Sequence, residues 1–186
     1  MSVILLDVDE VLFPFAHAYD AWLSQRRGVG LRPELMATYR IPQAAGPDHD
    51  HLVAAFLNDP ATVKDVLPVQ GAAAALALLA RTYTLVGCTS RHGHDEGAAT
   101  RAWVARHCPD VAEVEFTRDR RGTVGVAKSV FARTWHAVAL VDDSPEHLAG
   151  LPRECTGVLL ARPGALGSSP EALSWPAAAR VLCALT

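Results

Sequence analysis

The chain has 186 residues, half of them hydrophobic and 20% charged, with a formal net charge of -3. That balance excludes a polybasic nucleic-acid binder or an acidic tail, and the length suits one domain carrying an insertion. The four cysteines, Cys88, Cys108, Cys155 and Cys183, form no Cys-x-x-Cys pair and no zinc-like grouping, so they read as buried thiols of a reducing compartment.

The first element is the run Val3-Ile4-Leu5-Leu6, short and rich in branched aliphatics, which predicts a strand buried on both faces of a parallel sheet. It has no basic region before it and meets Asp7 within a few residues, so it is neither a signal peptide nor a membrane span. The alanine-rich stretch Gly71 to Ala80 is too short to cross a bilayer, and the expected location is cytoplasmic. Asp7 and Asp9 close the first strand. Alternation puts both side chains on one side, where two like charges are costly unless a cation sits between them.

From Asp9 to Thr82 the chain runs 73 residues, whereas a crossover with its helix needs about a dozen. Residues 14–66 are therefore read as a helical insertion in a core made of 1–13 and 67–186. Helices are predicted at Ala16 to Arg27, from Arg32-Pro33-Glu34, and at His51 to Leu57, the last closed by Asn58-Asp59-Pro60. The insertion would lie over the carboxyl ends of the strands. Trp22, Tyr39 and Phe56 read as packing residues, and Asp48-His49-Asp50-His51 as a solvated helix start rather than a metal tract.

Helices and strands then alternate. A helix at Gln70 to Arg81 precedes a strand at Tyr83 to Cys88; a helix at Asp95 to His107 precedes a strand at Val111 to Thr117. A helix at Val124 to Trp135, with Val126, Val130 and Phe131 at helical spacing, precedes a strand at Ala137 to Val141. A last strand covers Gly157 to Ala161, followed by a loop at Pro163 to Pro170 and a helix at Ala177 to Leu185. This rhythm predicts an α/β fold with a doubly wound, five-stranded parallel sheet and right-handed crossovers.

In such a sheet the residues that matter cluster just after the strands. Here these are Asp7 and Asp9, then Cys88-Thr89-Ser90-Arg91, then Asp142-Asp143-Ser144, with Lys128 on the helix before the fourth strand; only Lys64 and Lys128 are lysines. Mg²⁺ prefers one or two carboxylates plus a substrate phosphate, which Asp7 and Asp142 can supply, with Asp143 bonding to metal-bound water. Asp7 is placed to attack phosphorus and Asp9 to act as acid and base. Thr89 and Ser90, with the N-terminus of the following helix, would hold phosphate oxygens, and Lys128 would balance their charge. Arg91, His92 and His94 are candidates to meet a leaving group at the mouth of the site.

These segments resemble the four motifs of the haloacid dehalogenase-like superfamily, on its phosphatase side: LLDVDEVL the first, LVGCTS the second, Lys128 the third and ALVDDSPEH the fourth. The resemblance covers residues 1–14 and 67–162 and leaves the insertion unmatched. It implies strand order 5-4-1-2-3, an aspartyl-phosphate mechanism with Mg²⁺ in which Asp9 also offers the metal its backbone carbonyl, and a cap that governs substrate choice. The small helical cap and Cys-Thr-Ser motif are most similar to the 5′-nucleotidase and deoxyribonucleotidase branch. The expected function is hydrolysis of a phosphorylated small metabolite or nucleotide. A nucleic-acid-end phosphatase is the alternative, with Arg26, Arg27, Arg32 and Arg40 as a modest basic track, and it is not favoured. A metal-free dehalogenase leaves Asp9 and the second acidic pair unexplained. One departure from the motif is Glu10, where the family usually has glycine; a glutamate resists positive φ, which motivates a non-catalytic binding module as a further alternative. The oligomeric state is not legible.

Overall fold

A computed structural model of the chain describes residues 1–28, 30–31, 49–92, 96–118, 125–162 and 171–185. Its strands are β1 (Ser2–Leu6), β2 (Tyr83–His92), β3 (Val111–Arg118), β4 (Ala137–Asp142) and β5 (Thr156–Leu159). All pairings are parallel and the order is β3-β2-β1-β4-β5, as the resemblance implied. The chain winds one way from β1 through β2 to β3 and the other way from β4 to β5. The crevice outside the carboxyl ends of β1 and β4 is therefore the switch point where such sheets bind ligands.

The described helices are α1 (Phe15–Arg27), α2 (His49–Leu57), α3 (Pro60–Val63), α4 (Ala72–Leu79), α5 (Gly97–His107), α6 (Lys128–Thr134), α7 (Pro145–Leu148) and α8 (Trp175–Cys183). None of them is long and apolar enough to cross a membrane. The helix expected from Arg32, and with it Tyr39 and Arg40, lies outside the described residues, as do His94 and the loop Pro163 to Pro170.

Strand alternation sorts the core into two layers. Ile4 and Leu6 point into the larger cluster, with Tyr19 of α1, Leu76 of α4, Trp103 of α5 and Leu182 of α8. Leu5 points the other way, onto Val86, Leu140 and Ala132, with Phe131 and Trp135 at its edge. The same period carries past the strand ends. Asp7 lies two residues beyond Leu5 and Asp142 two beyond Leu140, so both carboxylates belong to the α6 face.

The inserted helices pack directly on the larger cluster. Phe13 meets Trp103 edge-on at 4.9 Å, and Phe56 of α2 lies 5.5 Å from Tyr19 and 5.7 Å from Trp22 between ring centroids. Trp22 and Phe56 are buried packing residues, and His49 opens α2 with its ring edge-on to Tyr19. Truncating Phe56 to alanine removes about 3–5 kcal/mol of such packing. Asp59, expected to close α2, instead caps α3 by accepting the Ala61 N–H at 3.1 Å, and it accepts Trp22 Nε1–H at 3.3 Å.

Three element ends differ from the sequence reading. β2 runs on to His92 because its tail pairs again with β3 at Arg118 after a register shift. The helix expected over Asp95 to His107 runs from Gly97 to His107. α6 starts at Lys128 rather than Val124, since Val126 donates its N–H to Thr117 O at 2.7 Å in extended chain. Val126, before the helix, and Val130, on it, are exposed, while Lys128, Ser129 and Ala132 are buried.

Candidate active site

The tips of β1 and β4 are neighbours. Asp7 donates its backbone N–H to Val141 O at 2.9 Å, which extends the ladder to the first acidic residue. Lys128, buried at the start of α6, places its Nζ 2.7 Å from Asp7 Oδ1 and 2.6 Å from Asp142 Oδ2. Asp142 Oδ1 accepts the Ser144 N–H at 2.9 Å and lies 3.0 Å from His147 Nδ1. Asp143 accepts a hydrogen bond from Arg162 Nε.

One ammonium serves two buried carboxylates, and that shortfall sets their proton affinities. Burial works against charge on Asp142, but His147 and Lys128 together hold its carboxyl below the usual range. Asp7 is left with the penalty: burial first, then Asp142, Asp9 and Asp143, push it up to about 7 against the pull of Lys128. Burial opposes charge on Lys128 too, yet Asp7 and Asp142 outweigh it and raise its affinity for the proton. Asp143 is raised by burial despite Arg162.

Such a site is short of positive charge and has hard oxygen donors. One ligand atom each from Asp7, Asp142 and His147 lie within 4.8 Å of one another. Of these, the two carboxylates fit a divalent cation of the Mg²⁺ type, which takes few protein carboxylates and keeps room for water or substrate oxygens, whereas the imidazole nitrogen of His147 is a donor such an ion does not prefer and turns to Asp142 instead.

Asp9 is held by Arg91. Arg91 NH2 lies 2.6 Å from Asp9 Oδ1, and Nε donates to Oδ1 and Oδ2 at 3.2 and 3.1 Å. The remaining NH1 donates to Thr100 Oγ1 at 3.1 Å, and the guanidinium stacks 4.7 Å over the Phe13 ring. Arg91 is thus a buried residue committed to Asp9, not a loose cation at the mouth. Thr89 is fully buried, its Oγ1 accepting the Arg91 N–H at 3.2 Å, and Ser90 Oγ accepts from Thr117 Oγ1 at 3.4 Å. His92 sits at the end of β2, where its Nε2 lies 3.2 Å from Arg118 NH1.

Glu10 keeps the backbone conformation that a glycine would find easiest. Its φ is +62°, and its side chain is 1% exposed. Oε1 accepts the Ala16 N–H at 2.6 Å, in the first turn of α1, where four backbone donors lack helical partners. The capping bond offsets the cost of a left-handed glutamate, about 1–2 kcal/mol. Burial still pushes its carboxyl up to about 8.

The family profile of 5′ nucleotidase, deoxy (pyrimidine), cytosolic type C protein (NT5C) matches residues 1–165. The chain belongs to this family. It is a haloacid dehalogenase-like phosphatase, and its fold recurs in solved structures at low identity. A haloacid dehalogenase-like hydrolase from Streptococcus pneumoniae aligns at 10% identity and TM-score 0.63, over 94% of this chain and 90% of that one. A subfamily IA hydrolase of the superfamily from Geobacter sulfurreducens PCA aligns at 16% identity and TM-score 0.63, over 100% and 97%. A family hydrolase from Deinococcus radiodurans R1, solved with bound phosphate and sodium, aligns at 17% identity and TM-score 0.52, over 100% and 88%. No curated protein sequence matches the chain.

In this phosphatase the structure brings Asp7, Lys128 and Asp142 into direct contact and sets Asp143 beside Asp142. The sequence reading missed His147 and Arg162. His147 had a usable signal: five residues after Asp142, with a Ser-Pro helix start between, a side chain turns back toward the strand end. Arg162 follows β5 and carried no such sign.

Proposed function

We propose that this phosphatase hydrolyses small phosphomonoesters by transferring the phosphoryl group to Asp7. The observation that carries the reading is the contact of Lys128 Nζ with both Asp7 Oδ1 and Asp142 Oδ2, at 2.7 and 2.6 Å. It means that acidic groups 135 residues apart in sequence face one position at the switch point of the sheet.

In the first step an Asp7 carboxylate oxygen forms a bond to phosphorus while the ester oxygen departs and takes a proton from Asp9. In the second, Asp9 accepts a proton from water as that water attacks the aspartyl-phosphate, and the phosphorus–Asp7 bond breaks. Arg91 holds the Asp9 carboxylate in one orientation, so its contribution passes through Asp9. Thr89 and Ser90 supply hydroxyls, and Lys128 charge, to the phosphoryl oxygens. Asp7 and Asp142 would hold Mg²⁺ through their carboxylates and Asp9 through its backbone carbonyl, with Asp143 next to them. Bound there, the ion would offset the repulsion among the carboxylates and stabilise charge on the phosphoryl oxygens.

Glu10 gives the binding-module alternative no support, because the residue holds the positive φ of +62° and its side chain caps the Ala16 N–H. The nucleic-acid alternative loses one member of its basic track, since Arg26 stacks 4.5 Å over Trp22 and pairs with Asp59. The insertion, residues 14–66, serves as the cap in this reading, and the protein works in the cytoplasm.

The test is phosphate release from a panel of phosphorylated metabolites and nucleotides, first with Mg²⁺ and then with chelator. Release that depends on Mg²⁺ and vanishes in Asp7→Asn is expected. Release indifferent to the chelator, or none across the panel, counts against the proposal.

A further inference from the structure

Asp142 is completely buried, so its carboxylate oxygens must find their partners inside the protein. An ionised carboxylate offers about four acceptor positions. Oδ1 accepts the Ser144 N–H at 2.9 Å, and Oδ2 accepts from Lys128 Nζ at 2.6 Å. His147 Nδ1 lies 3.0 Å from Oδ1 and 3.2 Å from Oδ2, so it bridges the two oxygens and is nearer the first. Neutral or charged, the ring must donate from Nδ1, because a carboxylate only accepts. Oδ1 thus has both of its positions taken. Oδ2, with Lys128 and the longer share of the His147 bond, is the oxygen left to face a cation, and Lys128 Nζ on that side also touches Asp7 Oδ1 at 2.7 Å.

The local sequence builds the His147 bond. Ser144-Pro145-Glu146-His147 makes a single turn in which the His147 N–H donates to Ser144 O at 3.1 Å, and Pro145 fixes φ at its start. No residue of α7 is buried, so the turn is not there to fill the core. What it does is carry an imidazole back to the tip of β4, five positions earlier in the chain. Asp7 is oriented differently, by its own main chain, with Oδ1 accepting the Val8 N–H at 2.8 Å.

We infer that His147 is a positioning residue for the divalent cation: it holds the Asp142 carboxylate in the orientation that turns Oδ2 toward Asp7, and so raises the affinity of the site without touching the ion. The inference rests on the reading of Asp7 and Asp142 as ligands of that cation. Partners of this kind fix the direction of a ligand's lone pairs, and losing one weakens metal binding by about 10–100-fold.

The test measures Mg²⁺ binding to the parent and to His147 variants by titration calorimetry without substrate, beside melting temperatures in the absence of metal. His147→Ala should weaken Mg²⁺ by about tenfold or more. His147→Asn, whose amide N–H stands where Nδ1 does, should recover most of that loss. His147→Gln, whose amide reaches the Nε2 position instead, should recover little. Ni²⁺, titrated in competition with Mg²⁺, separates positioning from direct ligation. Positioning predicts similar fold-losses for the two ions in His147→Ala. An imidazole bound to the metal would cost Ni²⁺, which favours nitrogen donors, far more than Mg²⁺, and would overturn the inference. Unchanged Mg²⁺ affinity in His147→Ala, with only the metal-free melting temperature lowered, would overturn it as well, and so would equal losses in the alanine and asparagine variants. A parent that binds no Mg²⁺ would overturn the cation reading itself, and this inference with it.

Discussion

Replacing Glu10 by glutamine removes the charge of the side chain but keeps an oxygen for the Ala16 N–H. Burial raises the Glu10 carboxyl from an ordinary 4.5 to about 8, so the folded protein binds this proton more tightly than the unfolded chain does. Its stabilising contribution is complete below about pH 4.5 and is lost as the pH rises through 8. A rise of roughly three and a half units, at about 1.4 kcal/mol per unit, is on the order of 5 kcal/mol over that window. That is a large share of the stability of a typical domain. Urea unfolding of both proteins at several pH values from 5 to 8, with chelator present, isolates the effect. The difference between parent and Glu10→Gln should shift by several kcal/mol in favour of the variant toward pH 8. Parallel pH profiles would refute a buried, protonated Glu10 and imply that its carboxylate finds a compensating cation.

Two further predictions concern the cation between the strand tips. Lys128→Met should lose turnover and also destabilise the metal-free protein by about 3–5 kcal/mol at pH 8, because two buried carboxylates lose their partner; chemical unfolding should find a smaller loss at pH 5, where Asp7 is protonated with or without the lysine. Mg²⁺ should raise the melting temperature little at pH 5.5 and fully above pH 8, since Asp7, raised to about 7, must give up its proton to bind the ion. A pH-independent Mg²⁺ shift in scanning fluorimetry would contradict that coupling.

The parallel five-stranded sheet was legible because each strand is a short apolar run and each gap but one has the length of a single crossover, whereas its strand order came from the resemblance of the motifs to the superfamily. The acidic pairs were legible because they follow two such runs directly. What escaped the reading has physical causes. The apolar spacing of Val126, Val130 and Phe131 suggested an earlier, longer helix, but the buried position on α6 goes to Lys128, whose bonds to Asp7 and Asp142 outweigh the exposure of two valines. Thr89 to His92 is polar and looked like a loop, yet pairing with β3 keeps it extended. Arg91 looked like a substrate contact at the mouth of the site because sequence ranks anions by type and not by distance. Asp9 lies 82 positions away in the chain and 2.6 Å away in space. Glu10 posed a backbone question that only its contact with the start of α1 could answer.

Whether Asp7 is the nucleophile is decided most directly by acid-quenching the protein during turnover of a phosphate ester and analysing the N-terminal peptide by mass spectrometry. A phosphoryl adduct on Asp7 that forms with Mg²⁺, decays as substrate is exhausted and is missing with chelator is the predicted result. Full turnover with no adduct on that peptide, and with Asp7→Asn still active, would contradict it.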